Sequence, residues 1–191
     1  MAASLRRSLL IAFVTLCAAG LAPATHAAPA SAAGGGLIQV TFLYMPPGQI
    51  EPTYHTAIWL EDAKGGFVQT LYVTQELSAT EYKMGQACPD WIKQAHWERA
   101  PKATVDAVTG PTPNVGAGAL EFDTAKLNIG PGTYRFKFQV HIGEKYNVLH
   151  QATVVVGGAA ASPAVEVLYS PSKPAGEPDL VRDLQVHYVP R

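Results

Sequence analysis

Cysteine is nearly missing from this chain: Cys17 and Cys88 are the only two in 191 residues, which excludes a disulfide scaffold. An excess of one charge is missing as well. Lys and Arg number 14 against 15 Asp and Glu, whereas a protein that coats nucleic acid carries a basic surplus, so no nucleic-acid partner is expected. Long hydrophobic runs are absent beyond Leu9 to Ala22, whose 14 residues fall short of the roughly 20 that a membrane-spanning helix needs. Catalytic signatures are missing too. There is no Gly-x-Ser-x-Gly elbow, no His-x-x-x-His or His-x-His pair and no dinucleotide fingerprint. Gly116, Gly118, Gly130 and Gly132 do not precede a helix and make no phosphate cradle. What is present is 48% apolar residues with 17 Gly and 15 Pro, a composition that suits one globular domain; with no catalytic motif found, a non-enzymatic protein is expected.

The first 27 residues read as a cleavable export signal. Arg6-Arg7 precede the apolar run, and Ala24-Thr25-His26-Ala27-Ala28-Pro29 supplies small residues around a cut after Ala27, with Ala24 or Ala30 as alternatives. An ordinary signal with two positive charges fits best, and Arg6-Arg7-Ser8-Leu9-Leu10 also matches the twin-arginine pattern. Leu16 before Cys17 argues against lipid attachment. Cleavage leaves 164 residues with 12 basic and 15 acidic side chains, no further apolar run of that length, and Cys88 as the one remaining thiol. Residues 28–36 are small and featureless and read as a flexible N-terminus.

From residue 37 to 191 the pattern is that of strands. Leu37–Met45, Tyr54–Glu61 and Phe67–Thr74 are β-rich, the last two joined by a glycine turn. In Thr133–Ile142, Tyr134, Phe136, Phe138, Val140 and Ile142 alternate with Arg135, Lys137, Gln139 and His141, which predicts one apolar and one polar face. Tyr146–Val156 completes a second hairpin whose register sets His141 opposite Asn147 and offset from His150. Ala164–Tyr169 and Leu180–Val189 follow, separated by the proline-containing loop Ser170–Pro178. Seven or eight strands without alternating helices predict an all-β fold, two antiparallel sheets packed face to face. Residues 78–100 interrupt it. Ser78-Ala79-Thr80-Glu81 matches a capping box and Pro89 can open a helix, so two short helices are expected over about 79–87 and 89–98, with Trp91, Ile92 and Ala95 over one end of the sandwich.

The segment Ala57-Ile58-Trp59-Leu60-Glu61-Asp62-Ala63-Lys64-Gly65-Gly66-Phe67-Val68-Gln69-Thr70-Leu71 resembles the opening motif of DUF2271, a family of predicted bacterial periplasmic proteins. Tyr82 and Trp91 fall in the place of that family's aromatic helical segment. Asp106-Ala107-Val108-Thr109-Gly110 is similar to its aspartate and glycine loop, and Pro131-Gly132-Thr133-Tyr134 to its Pro-Gly-x-Tyr strand start. The resemblance spans about residues 54–142. It implies an Ig-like or transthyretin-like β-sandwich in the periplasm, an association with membrane PepSY-type reductases, and a part in iron or flavin handling beside a periplasmic or inner-membrane partner. It implies no catalytic residue.

Cys88, His96 and Met84 form the one soft-ligand cluster of the mature chain, and thiolate, imidazole and thioether are what copper(I) or haem iron would select. Met and Cys at this spacing also read as core packing. A histidine pair made of His141 and His150 requires a register shift or a bulge. Trp59, Trp91, Trp97 and Tyr82 are candidates to line a ligand groove; the alternative is that Trp59 belongs to the sandwich core and the others seal the helices to the sheet. Glu61, Asp62, Asp106 and Asp123 offer carboxylates, mostly beside turns where Asp satisfies backbone N–H groups. The sequence thus points to an exported accessory or binding protein linked to metal or redox handling. A protein-interaction module docking by strand addition, or an enzyme using Cys88, are the alternatives.

Overall fold

The computed structural model describes residues 35–48, 50, 52–143 and 146–191. The export signal, nearly all of the 28–36 stretch and residues 144–145 of the second hairpin's turn lie outside these. The described elements run β1 (Gly36–Tyr44), β2 (His55–Asp62), β3 (Phe67–Thr74), α1 (Gln75–Ala79), α2 (Pro89–Ala95), α3 (Lys102–Val108), β4 (Thr109–Gly110), β5 (Gly116–Asp123), β6 (Gly132–Gly143), β7 (Tyr146–Val156), β8 (Glu166–Ser170) and β9 (Val181–Pro190). No helix among the described residues is long and apolar enough to cross a membrane.

Two sheets make the sandwich expected from the strand pattern, one ordered β5-β1-β9 and the other β4-β3-β2-β6-β7-β8. Pairing is antiparallel throughout except for the two-residue parallel contact of β3 with β4. The predicted alternation in β6 holds: Phe136, Phe138, Val140 and Ile142 face the sandwich interior, where they meet Ile38, Val40 and Phe42 of β1 and Leu184, Val186 and Tyr188 of β9 in one buried cluster. His141 pairs with Asn147 as the register predicts. Strand β5, Gly-Ala-Gly-Ala-Leu-Glu-Phe-Asp, was not expected, because glycine and alanine disfavour strands. It forms because its glycines admit close packing: a β-carbon at Gly118 would collide with the ring of Phe42.

The helical region differs from expectation in extent and place. Ser78 does not cap a helix; it lies inside α1 and its hydroxyl pairs with that of Thr109 at 3.1 Å. Residues 81–84 form a single 3-10 turn that stops at Gly85, in the left-handed conformation at φ 70°. Pro89 does open the second helix, α2, and a third, α3, occupies the segment similar to the family's aspartate loop. These helices do not cover an end of the sandwich. They lie on the outer face of the six-stranded sheet, where Ala57 and Trp59 of β2, Val73 of β3, Leu149 of β7 and Leu77, Cys88, Trp91, Trp97 and Val108 of the helical region form a second buried cluster. The supposedly solvated face of β6 is therefore covered, and Lys137, Gln139 and His141 are buried. Trp59 belongs to this outer layer and not to the sandwich interior.

Candidate functional site

The helices leave part of the outer face uncovered. A groove of about 480 Å³ opens there between α2 and strand β8, lined by Trp59, Glu61, Asp90, Gln94, Arg135 and Lys137, with Leu149 and Leu168 as its apolar wall. Its floor is set by register: β2 and β6 place Trp59 opposite Lys137 and Glu61 opposite Arg135. Glu61 is 3% exposed. One oxygen accepts from Trp59 Nε1 at 3.0 Å and from Gln94 Nε2 at 2.9 Å, while the other lies 3.7 Å from Lys137 Nζ. Lys137 donates to Gln151 Oε1, and Gln151 Nε2 donates to Glu166, so the polar chain crosses from α2 over β2, β6 and β7 to β8. A buried ion pair survives only when further hydrogen bonds satisfy its atoms, and these do.

On the α2 side Gln139 ties the helix to the sheet. Its Nε2 donates to Asp90 Oδ2 at 2.7 Å, and its Oε1 accepts the backbone N–H of Asp90 at 3.2 Å. Both carboxylates near the groove are thus engaged. Arg135 differs: it is exposed and makes no ion pair among the described residues, so a free cation stands at the rim beside a neutralised floor. Sequence reading singled out Glu61 and Trp59 but missed Arg135, Lys137, Asp90 and Gln94. Their polarity looked like solvated surface.

The soft-ligand candidates occupy three different settings. Met84 is 67% exposed on the 3-10 turn and His96 is exposed at the end of α2. Cys88 is fully buried, its thiol donating to the carbonyls of His55 and Gln139 at 3.4 Å each, and burial pushes its pKa upward. Among the described residues no group of three or more His, Cys, Asp or Glu side chains is placed to hold a metal ion. The aromatic candidates mainly seal the helices down: Trp91 Nε1 donates to Thr70 at 2.9 Å, Trp97 Nε1 to the Ser78 carbonyl at 3.1 Å, and their rings pack 5.0 Å apart. Tyr82 is half-buried against the same cluster. Asp62 and Asp123 serve turns. Backbone N–H groups of Gly66 and Lys64 hold the first carboxyl below its ordinary pKa, and that of Lys126 holds the second.

No curated protein and no solved structure matches the chain. A family model described as "Predicted periplasmic protein (DUF2271)" matches residues 39–167, from within β1 into β8 and including both strands that carry the Glu61–Lys137 pair. With about two thirds of its length in that match, the chain belongs to the DUF2271 family of periplasmic proteins.

Proposed function

We propose that this protein is a non-catalytic periplasmic binding protein, accessory to an envelope system for metal or redox handling, and that it takes a small ligand bearing an anionic group in the groove beside Arg135. The observation that carries the ligand reading is the unpaired Arg135 guanidinium next to a floor whose own charges, Glu61 and Lys137, are already matched. An anion entering there meets an uncommitted five-donor fork, while Leu149 and Leu168 offer contact to an apolar body. The envelope role is supported by the family resemblance. Thermal-shift titration with small mono- and dicarboxylates and phosphate monoesters tests this. At least one class is expected to raise the melting temperature, with Arg135→Gln weakening it about tenfold or more. No shift from any member at millimolar concentration overturns the reading.

A second reading, docking of a partner by strand addition, is favoured by β8. Among the described residues this strand pairs only with β7, and it exposes Val167 and Leu168 at 42% and 43%. Val167→Pro separates the two readings, since it blocks an added strand and leaves Arg135 in place.

A further inference from the structure

Outside the groove, about 20 Å along the same strands, β2 and β6 set His55 directly opposite His141. Both side chains are over nine-tenths buried, at 6% and 7% exposure. Their imidazole rings are parallel to within 1° with centroids 6.3 Å apart. The tautomer of His141 follows from its neighbours. Asn147 Oδ1 accepts the backbone N–H of Cys88 at 2.9 Å and Asn147 Nδ2 donates to the Gln86 carbonyl at 3.0 Å, which fixes the amide's orientation. The amide oxygen therefore meets His141 Nδ1 at 3.2 Å, and since an amide oxygen only accepts, Nδ1 carries the hydrogen. In the neutral ring the lone pair is then on Nε2. A hydrogen bond from the far nitrogen to a fixed acceptor is how proteins orient a metal-binding imidazole. Across the seam, His55 Nδ1 is buried with no hydrogen-bond partner among the described residues.

We propose that His55 and His141 form a metal site across the β2–β6 seam for a late first-row divalent cation, Cu(II) in preference to Zn(II). Centroids 6.3 Å apart are about the full span of two imidazoles on one ion at about 2 Å from each nitrogen, so the parallel rings must turn about their side-chain bonds for the lone pairs to converge; imidazole donors rank copper above zinc. Water completes the coordination, with the half-buried Glu81 on the 3-10 turn as a source of negative charge felt at His141. This site is independent of the groove reading and uses none of its residues.

The test is calorimetric titration of the metal-free, full protein with CuSO4 and ZnCl2, paired with electron paramagnetic resonance of the copper form. One equivalent of Cu(II) is expected to bind at micromolar or tighter affinity with nitrogen hyperfine splitting. His55→Gln and His141→Gln are each expected to weaken it about tenfold or more, while His96→Gln and His187→Gln leave it unchanged. Metal-free melting curves show whether the buried variants fold. If they do not, long-range proton–nitrogen spectra of the wild-type histidine rings decide, because Zn(II) must then shift the two buried imidazoles before the exposed ones. Shifts confined to exposed rings, or a folded His55→Gln that binds copper as the wild type does, overturn the proposal.

Discussion

At the scale of single residues, the most exacting position is His150. It faces the sandwich interior from β7, 2% exposed, with its ring edge-on to Phe138 at 6.1 Å and its Nδ1 unpartnered among the described residues. Burial pushes its pKa down to about 4, only slightly opposed by the charge of Asp179. The folded value lies below that of the unfolded chain, so between pH 6.5 and 4 the unfolded state binds the extra proton. Stability is accordingly lost as pH falls through that window, by on the order of 3 kcal/mol at its acid end. His150→Leu removes both the titration and the unsatisfied nitrogen. Urea denaturation of the two proteins from pH 7 to 4.5 is expected to show the variant gaining on the wild type steadily as pH drops. Parallel curves would show that His150 is not buried as described. Cys88 is the contrasting case, a buried thiol that needs no protonation change because two carbonyls accept its hydrogen.

At the scale of elements, Asn147 shows how the helical region is held. It sits on β7, yet it accepts from Cys88 N–H and His141 and donates to Gln86, joining two strands to the residues just before α2. Cys88 adopts φ 50°, a left-handed value that a non-glycine residue keeps only when its surroundings fix it. Asn147→Ala strands a buried N–H and frees that strained backbone, and a loss of about 2–4 kcal/mol is expected from urea unfolding; a loss below about 1 kcal/mol would mean that water replaces the side chain at no penalty. The β6–β7 hairpin was legible from its period of two, and with it the His141–Asn147 pairing. What covers its outer face was not, because alternation distinguishes two faces without saying that the polar one meets solvent. One signal did exist. Ala57-Ile58-Trp59-Leu60 is a continuous apolar run, the pattern of a strand buried on both sides, and it points to a second layer over β2. The groove residues stayed hidden for another reason: Arg135 and Glu61 meet only through the β2–β6 register, which no local pattern encodes.

At the scale of the whole molecule the fold has two cores sharing one sheet. The described residues put twenty-five buried side chains in the sandwich interior and ten in the outer layer. Helices of 5, 7 and 7 residues form that outer layer's lid, and helices so short are unstable unless packed. Local opening of the outer layer therefore leaves the sandwich intact, whereas loss of the sandwich removes the floor on which the helices rest. All three tryptophans of the chain, Trp59, Trp91 and Trp97, belong to the outer cluster. Tryptophan fluorescence thus reports that layer alone, while the amide I infrared band reports the strands. Under increasing urea the fluorescence transition is expected at lower denaturant than the infrared one, with the groove lost in the first step because α2 supplies Asp90 and Gln94. Coincident transitions would mean that both cores unfold as one cooperative unit, and the ligand groove would then be as stable as the sandwich itself.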